Sequence, residues 1–365
     1  MSASIPTTEV SQEAARQLLV DLVETPSIAP KESECAQRLV DFFETHDREV
    51  WIDEVGNVRA PADDGILLTS HIDTVPGDIP VAVERRSLDN AHVGGELPDG
   101  TYDVLTGRGS VDAKGPLAAM AVVAVETGAS FAGVVGEEVD SRGGRYLAEH
   151  RDTPDAVING EPSGWTGITL GYRGLLGGAY VATSESGHSS RPDDNAIQDA
   201  INWWHAVEDE FDPDEWVPIF ERVTPKPVDI SGGMSEDGLS VETTMRVQLR
   251  VPPEYTVDEI REIADGHLTN GTVNWDDRVE PVMVSPRTDV ARSFRAAIRG
   301  AGGDPRMLRK TGTADMNIYA DAWSVPMVTY GPGDADLDHA PDEHLVLAEY
   351  DRSIDVLRAA TEDLL

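Results

Sequence analysis

The stretch Ile66-Leu67-Leu68-Thr69-Ser70-His71-Ile72-Asp73-Thr74-Val75-Pro76 decides how the chain folds. A short apolar run of this kind, bounded by polar and turn-forming residues, is typical of a buried strand. It ends at His71, and Asp73 follows two residues later. A histidine that binds a metal through one ring nitrogen needs an acceptor for the other, and Asp73 is placed to supply it. The stretch therefore predicts a buried strand that ends in a metal-ligating histidine.

Acidic residues follow two further predicted strands in the same way. Strands are predicted over 130–135 and 156–159, and they end at Glu137-Glu138 and at Glu161. Open α/β sheets gather their ligands in a crevice at the carboxyl ends of the strands. We therefore expect these carboxylates to converge with the histidine of the first strand.

Two more candidate ligands stand next to predicted helices and strands. The stretch Gly107-Arg108-Gly109-Ser110-Val111-Asp112-Ala113-Lys114-Gly115 has glycines that allow a sharp turn, and it presents Asp112 at the start of a helix predicted over 115–126. His339 lies in Asp338-His339-Ala340-Pro341, after a strand predicted over 327–330. Two histidines with shared carboxylates and no thiolate suit a pair of divalent ions such as Zn²⁺ or Co²⁺. Two such ions about 3.5–4 Å apart generate hydroxide and polarise a carbonyl together.

The hydrophobic pattern divides the chain into two predicted domains. Strands and helices alternate on either side of a segment, 173–284, in which long strands are interleaved with two helices. The predicted fold class is α/β: a two-metal aminopeptidase-like catalytic domain, residues 1–172 and 285–365, with an inserted α+β lid or dimerisation domain at 173–284. The stretch 87–101 is predicted to be a surface loop. The predicted helices are 11–24, 32–45, 115–126, 195–210, 256–270, 289–300 and 349–365, and the predicted strands are 50–58, 66–70, 130–135, 156–159, 174–184, 217–224, 239–251, 274–284 and 327–330.

The charge of the chain argues against nucleic acid as a partner and indicates adaptation to a high salt concentration. The formal net charge is −38, and the acidic residues are spread along all 365 residues. A nucleic-acid-binding surface needs clustered Lys and Arg, so no nucleic acid is expected as a partner. A pervasive acidic surface with few lysines is typical of proteins from salt-loving archaea, because high salt screens the self-repulsion.

The N-terminus and the apolar runs predict a cytoplasmic protein with no membrane partner. Residues 1–17 lack a basic region followed by an apolar core, so no signal peptide is expected. The longest apolar run, 116–125, is too short to span a bilayer. Cys35 is the single cysteine, which excludes an internal disulfide and a thiolate metal cluster.

In these motifs and their order the chain resembles the co-catalytic metallo-amidohydrolases of the aminoacylase, acetylornithine deacetylase, succinyl-diaminopimelate desuccinylase and carboxypeptidase G type. The resemblance covers nearly the whole chain and implies a role for each candidate. His71 and Glu161 would bind the first metal, Glu138 and His339 the second, and Asp112 would bridge both. Glu137 would be the general base that takes a proton from the attacking water, and Asp73 would orient His71. Gly187-His188-Ser189-Ser190-Arg191-Pro192 matches the family's lid motif, in which His188 would contact the developing oxyanion, often across a homodimer.

A finer similarity points to the substrate. The stretches 111–118, 310–317 and 330–334 are similar to archaeal and Thermus-type hydrolases that release lysine or ornithine from an acidic amino-group carrier protein. Ala314 departs from the serine expected in many of these relatives. Arg250 matches an arginine that holds the substrate α-carboxylate in relatives, and an arginine fork suits a carboxylate. Arg246, on the same face of the same predicted strand, is the alternative. Asn195, Gly312 and Thr313 are the remaining candidate substrate contacts.

Three functions are compatible with these residues. The first is hydrolysis of carrier-protein-linked lysine or ornithine. The second is hydrolysis of a small acylated substrate, as by acetylornithine deacetylase or succinyl-diaminopimelate desuccinylase, or of a dipeptide. The third is a binding protein that has lost its catalytic activity, which would be marked by loss of the base or of a ligand. Glu137 and all five candidate ligands are present, which disfavours the third.

Overall fold

The structure is a computed structural model, and it describes residues 7–88, 97–188 and 192–365. The chain divides into two compact units. The first comprises Met1–Leu170, Val284–Leu308 and Ile318–Leu365, and the second comprises Gly171–Met283 and Arg309–Asn317. The second unit thus includes a short segment, Arg309–Asn317, that the sequence analysis assigned to the catalytic domain. The candidate substrate contacts Gly312 and Thr313 lie in that segment.

Helices and strands alternate through the first half of the chain. In chain order they are α1 (Gln12–Glu24), α2 (Ser33–Thr45), β1 (Trp51–Ile52), β2 (Val58–Ala60), β3 (Asp63–His71), β4 (Ala82–Leu88), β5 (Gly100–Thr106), α3 (Lys114–Thr127), β6 (Ala129–Val134), α4 (Arg142–His150), β7 (Val157–Gly160) and β8 (Gly167–Tyr172).

Long antiparallel strands come next, and shorter elements complete the chain. They are β9 (Gly174–Glu185), α5 (Ala196–Phe211), β10 (Thr224–Met234), β11 (Ser240–Val251), α6 (Val257–Gly266), β12 (Thr272–Val279), β13 (Val282–Met283), α7 (Asp289–Gly300), β14 (Arg306–Lys310), α8 (Asp315–Ala322), β15 (Met327–Thr329), β16 (His344–Val346) and α9 (Leu347–Leu364). No helix in the described ranges is long and apolar enough to cross a membrane.

Within the described ranges the main sheet has nine strands, and its centre is parallel. Eight strands follow the order β1-β2-β6-β3-β7-β15-β8-β13, and β14 pairs with β8. Within this order β3 pairs in parallel with β6 and with β7, and β15 pairs in parallel with β7. The carboxyl ends of these four strands therefore lie along one edge of the sheet.

Helix α3 forms the centre of the first unit's core. Its sequence, KGPLAAMAVVAVET, is apolar on all sides, and every residue from Lys114 to Val125 is buried. Helices that are apolar all round need neighbours on every side, and α3 contacts α1, α9 and strand β3. Gly128 ends the helix in the left-handed conformation that glycine adopts without steric cost.

The predicted surface loop over 87–101 is wrong at both of its ends. Ser87 and Leu88 belong to β4, and Gly100 and Thr101 belong to β5. These two strands pair with each other, and β16 joins β5 to complete a three-stranded sheet. Residues 89–96 lie outside the described ranges. Exposed strands that are rich in polar residues lack the apolar spacing by which strands are predicted, so the sequence predicts a loop there.

The described residues of the second unit form a four-stranded antiparallel sheet that is accompanied by helices α5 and α6. The strand order is β10-β11-β9-β12. Its core contains Tyr180, Trp203 and Leu249, and the rings of Tyr180 and Trp203 are stacked with their centroids 5.0 Å apart. Odd-numbered residues of β11 are buried from Thr243 to Val251 and even-numbered ones are more exposed, which is the alternation of a sheet covered on one face.

The strand predicted over 217–224 is wrong. Ile219–Glu221 form a 3-10 turn, and the strand begins at Thr224 and continues to Met234. Pro225 and Pro227 weaken the strand pattern in the sequence. Prolines are tolerated in an edge strand because the N–H positions on its outer side need no ladder partner, and β10 is an edge strand.

Helix α9 contains a buried acid that makes the stability of the first unit depend on pH. Burial raises the pKa of Glu349 to about 7, although the Gly333 amide donates to its carboxylate at 3.0 Å. The folded protein therefore holds this proton to a higher pH than the unfolded chain does. At pH 4 the glutamate does not lower the free energy of unfolding. It lowers this free energy progressively as the pH rises towards 7, and by about 3 kcal/mol above that.

We expect Glu349→Gln to remove this cost while keeping an oxygen for the Gly333 amide. The variant should match the wild type near pH 4.5 and be more stable by about 2–3 kcal/mol at pH 8. Denaturant unfolding across this pH range measures the difference. Glu362→Gln, at an exposed position of the same helix, is the control. A difference between Glu349→Gln and the wild type that does not change with pH would contradict the assignment.

Candidate metal centre

The parallel strands of the first unit bring the predicted residues to one edge of the sheet. Ser70 pairs with Gly160, so the next residues, His71 and Glu161, occupy neighbouring positions at the ends of β3 and β7. Glu137 and Glu138 follow the end of β6, which pairs with β3 on its other side. The chain order of elements thus produces the predicted convergence.

The first group of candidate ligands consists of His71, Asp112 and Glu161. The Nε2 atom of His71 lies 3.1 Å from Oδ1 of Asp112 and 3.9 Å from Oε1 of Glu161. All three residues are buried, and their ligand atoms lie within 4.8 Å of one another. The Nδ1 atom of His71 lies 2.9 Å from the backbone oxygen of Asp73. Because a carbonyl can only accept, Nδ1 donates a proton to it, and loss of the proton on Nε2 would give a cation the lone pair of that nitrogen.

The second group consists of Asp112, Glu138 and His339. The Nε2 atom of His339 lies 3.0 Å from Oδ2 of Asp112 and 3.1 Å from Oε2 of Glu138. The ligand atoms of this group also lie within 4.8 Å of one another. His339 has a backbone φ of 61°, a conformation that non-glycine residues adopt rarely and mostly where the surroundings require it.

Asp112 belongs to both groups, one carboxylate oxygen facing each histidine. A carboxylate shared in this way can bridge two cations about 3.5–4 Å apart. The donors are two imidazole nitrogens and three carboxylates, which are ligands that Zn²⁺ and Co²⁺ accept. The residues present therefore fit a pair of divalent metal ions.

The charges of these carboxylates act strongly on the two histidines. Burial by itself lowers the pKa of His71, but the hydrogen bond that its ring donates to Asp112 and the charges of Glu161, Asp112 and Glu137 raise it well above its ordinary value. The hydrogen bond to Asp112 and the nearby charge of Glu138 raise the pKa of His339 to about 9, against the effect of burial. Burial and the charge of Asp112 raise the pKa of Glu138. The cluster thus holds an excess of negative charge that a cation would neutralise.

Asp73 is placed beside His71, but its carboxylate makes different contacts from those predicted. The carboxylate lies 3.7 Å from Nδ1 of His71, while the backbone oxygen of Asp73 accepts from that nitrogen. Oδ1 accepts from the Glu137 amide and Oδ2 from the Glu138 amide, both at 3.1 Å. The carboxylate therefore fixes the turn that carries the candidate base and a candidate ligand.

Glu137 is half-buried, and its carboxylate belongs to neither group of candidate ligands. Its charge nevertheless acts on His71, which places it close to the first group. A position beside the metal donors but outside them is compatible with the predicted role of Glu137 as a general base.

The candidate substrate contacts lie in the second unit. Arg250 is half-buried on β11, and burial lowers the pKa of its guanidinium. Among the described residues, no hydrogen-bond partner meets its buried Nη1 atom. Burial, together with the charges of Arg250 and Arg222, lowers the pKa of the neighbouring Arg173 to about 10. Arg173 donates to the Thr311 and Ile219 carbonyls at 2.9 and 3.1 Å. Such a concentration of buried positive charge favours an anionic ligand.

Arg173 was not among the residues predicted from the sequence. The available signal was its position in Gly171-Tyr172-Arg173-Gly174, where an arginine separates two buried strands. Arg246, the alternative to Arg250, is exposed and pairs with Asp276 at 3.2 Å. Its charge is thus already compensated, which favours Arg250.

The other candidates are accessible in different degrees. Asn195 caps α5, and its side-chain oxygen accepts from the Ile197 and Gln198 amides, so its NH₂ group is what remains for a ligand. Beside Gly312 there is open space in the direction of a Cβ atom. Thr313 is half-buried and His188 is exposed. Ser189, Ser190 and Arg191 of the predicted lid motif lie outside the described residues.

Residues 67–363 match the model of the peptidase family M20/M25/M40. The chain belongs to this family. It is therefore a hydrolase, and the family resemblance stated from the motifs is confirmed.

Relatives and solved structures agree with this assignment. The chain is 37% identical to the "[LysW]-lysine hydrolase" of Deinococcus radiodurans, over 95% of this chain and 96% of the relative. It is 29% identical to the "[LysW]-lysine/[LysW]-ornithine hydrolase" of Sulfurisphaera tokodaii, over 98% and 97%. The fold is similar to that of an M20 metallo-carboxypeptidase from Sulfolobus solfataricus, with a TM-score of 0.73, 17% identity and coverage of 96% and 99%. It is also similar to aminopeptidase PepT from Bacillus cereus, with a TM-score of 0.71, 18% identity and coverage of 97% and 99%. The predicted α/β fold class is confirmed.

Proposed function

We propose that this chain hydrolyses the amide bond that joins lysine or ornithine to the carrier protein LysW, using two divalent metal ions. The observation that carries the proposal is the pair of ligand groups that share Asp112 at the ends of parallel strands. The substrate follows from the relatives that match nearly the full chain, because their names specify lysine or ornithine linked to LysW. Zn²⁺ and Co²⁺ are the ions that the donor set favours.

The residues would divide the work of amide hydrolysis between them. His71, Asp112 and Glu161 would hold one ion, and Asp112, Glu138 and His339 the other. When bound, the ions supply Lewis acidity that activates water and polarises the amide carbonyl. Glu137 takes a proton from the attacking water and delivers it to the leaving amine. Asp73 holds the amides of the Glu137-Glu138 turn, which keeps base and ligand in fixed positions.

The second unit would recognise the amino acid that leaves. The buried Nη1 atom of Arg250 has no partner in the part of the chain that the structure describes, and a substrate carboxylate would satisfy it. Asn195, Gly312 and Thr313 would add hydrogen bonds, and His188 would donate to the oxygen that gains charge in the transition state. A homodimer is proposed with this arrangement. It is supported by the edge strand β10, which carries exposed Val228 and Ile230.

A side-by-side assay tests the substrate. Carrier-linked lysine, carrier-linked ornithine and acetylornithine are offered to the same preparation in high salt. We expect at least one carrier-linked substrate to be cleaved with a kcat/KM well above that for acetylornithine. A higher kcat/KM for acetylornithine than for both carrier substrates would replace this proposal with the small-substrate deacylase.

The charge of the chain predicts that its stability rises steeply with salt. A net charge of −38 produces strong repulsion when the Debye length is about 10 Å, at 0.1 M salt, and much less when it is about 3 Å, at 1 M. Thermal melts across a KCl series should show Tm rising throughout this range. Sucrose is the control, because it acts by exclusion from the surface without screening charge. A Tm that is independent of KCl would refute adaptation to salt.

A further inference from the structure

The loop that carries Asp112 is held by a buried glutamate from another part of the first unit. Glu343 has 0% of its surface exposed. It lies four residues after His339, in His339-Ala340-Pro341-Asp342-Glu343. Neither group of candidate ligands includes it.

Among the described residues, all the hydrogen bonds of the Glu343 carboxylate come from the Asp112 loop. Oε1 accepts from the backbone amides of Val111 and Asp112 at 2.9 and 3.1 Å. Oε2 accepts from the backbone amide of Gly109 at 3.1 Å and from Nη1 of Arg108 at 2.8 Å. The backbone oxygen of Glu343 accepts from the Gly107 amide at 3.3 Å. One residue thus receives hydrogen bonds from four residues of this loop by its side chain and from a fifth by its backbone.

Only an ionised carboxylate can accept all four side-chain bonds. Each of its oxygens has two lone pairs and here meets two donors. The charge is buried, and Arg108, whose side chain is 13% exposed, compensates it. Hydrogen bonds to a charged acceptor are about twice as strong as neutral ones. The loop is therefore fixed at the residue, Asp112, whose two oxygens must each face a different ion.

We propose that Glu343 is a positioning residue that sets the carboxylate of Asp112 between the two metal positions. It also connects this loop to the short segment that carries His339. One contact therefore positions Asp112, which belongs to both groups, and His339, which belongs to the second. The inference rests on the proposed two-metal centre. It concerns the affinity of the centre for its ions, because substitution of a residue that orients metal ligands typically lowers metal affinity about 10–100-fold.

Glu343→Gln is the variant that tests this proposal. The amide keeps the size of the side chain but replaces one acceptor oxygen with a donor, which then faces backbone N–H groups that also donate. The matched control is Glu126→Gln. Glu126 is a glutamate with a side chain 6% exposed that accepts from Arg358 at 2.7 Å and from the Val10 amide at 3.1 Å. It lies twelve residues after Lys114 on α3, about 18 Å along the helix from the Asp112 loop.

The measurement is a Zn²⁺ titration of metal-free protein against a competing chelator, with Tm of the metal-free protein recorded in parallel. We expect both variants to lower Tm. Only Glu343→Gln should weaken Zn²⁺ binding, by about 10–100-fold, with at least one ion per chain lost at limiting metal. Equal Zn²⁺ affinity in Glu343→Gln and Glu126→Gln would overturn the proposal and leave Glu343 a structural residue.

The experiment also distinguishes failure of the proposed metal centre from failure of the variant to fold. If the wild type binds no Zn²⁺, the proposed metal centre itself fails, whatever the variants do. If Glu343→Gln yields no folded protein, Glu343→Asp and Glu126→Asp are compared in the same titration. Aspartate keeps the charge but is one methylene shorter, so it cannot reach all four donors. A Zn²⁺ affinity unchanged in Glu343→Asp would then overturn the proposal.

Discussion

Replacing Glu137 by glutamine is expected to lower kcat for amide hydrolysis by about 10²–10⁴-fold, the usual contribution of a general acid–base group. The substitution removes the proton acceptor but none of the five candidate ligands, so the variant should bind as many metal ions as the wild type. Its backbone amide still donates to Asp73, and the turn should keep its shape.

Glu138→Gln is the matched comparison, because its amide donates to the same carboxylate and its side chain is altered by the same atom. Its carboxylate lies 3.1 Å from His339 in the second ligand group, so this variant should lose metal. Metal analysis after gel filtration, together with kcat, distinguishes the two. Equal metal loss in both variants would contradict the separate roles of these neighbours.

His188→Ala is expected to lower kcat by about 10²–10³-fold with little change in bound metal, as when an oxyanion donor is removed. All five candidate metal ligands belong to the first unit, and His188 belongs to the second. A histidine in a separate unit can serve the reaction by closure of that unit over the substrate, or from a second subunit. Metal analysis of His188→Ala that showed loss of an ion would contradict this role.

Mixing two inactive variants shows which subunit supplies the histidine. If His188 acts across a dimer, hybrids of His188→Ala and Glu137→Gln contain one site with both an intact base and an intact histidine. Some activity should then return on mixing. No recovery, with subunit exchange shown by differently tagged chains, would mean that His188 acts within its own chain or has no part in the reaction.

The strand-end residues could be predicted because sheet geometry is periodic and local. The run that ends at His71 and the one that precedes Glu161 are both apolar and short, and parallel pairing places their ends side by side. Asp112 could be predicted from the glycines before it and the apolar helix after it. Each residue was predicted from a local pattern, and their convergence from the general rule that parallel strands end at one edge of a sheet.

The features that were missed depend on contacts between distant parts of the chain. The carboxylate of Asp73 accepts from amides 64 and 65 residues away, and spacing in the sequence suggested only its neighbour His71. Glu343 contacts a loop more than 230 residues away. Strand β10 was missed because its residues are mostly exposed, and exposed edge strands lack the apolar alternation by which strands are predicted.

Stepwise reconstitution of metal-free protein tests whether hydrolysis depends on two bound metal ions. The protein is dialysed against a chelator in high salt, and Zn²⁺ or Co²⁺ is then added in small steps while bound metal per chain and cleavage of carrier-linked lysine and ornithine are measured. We predict no cleavage without metal and activity that rises until two ions are bound per chain. Undiminished cleavage by protein shown to contain no metal would contradict a metal-dependent reaction.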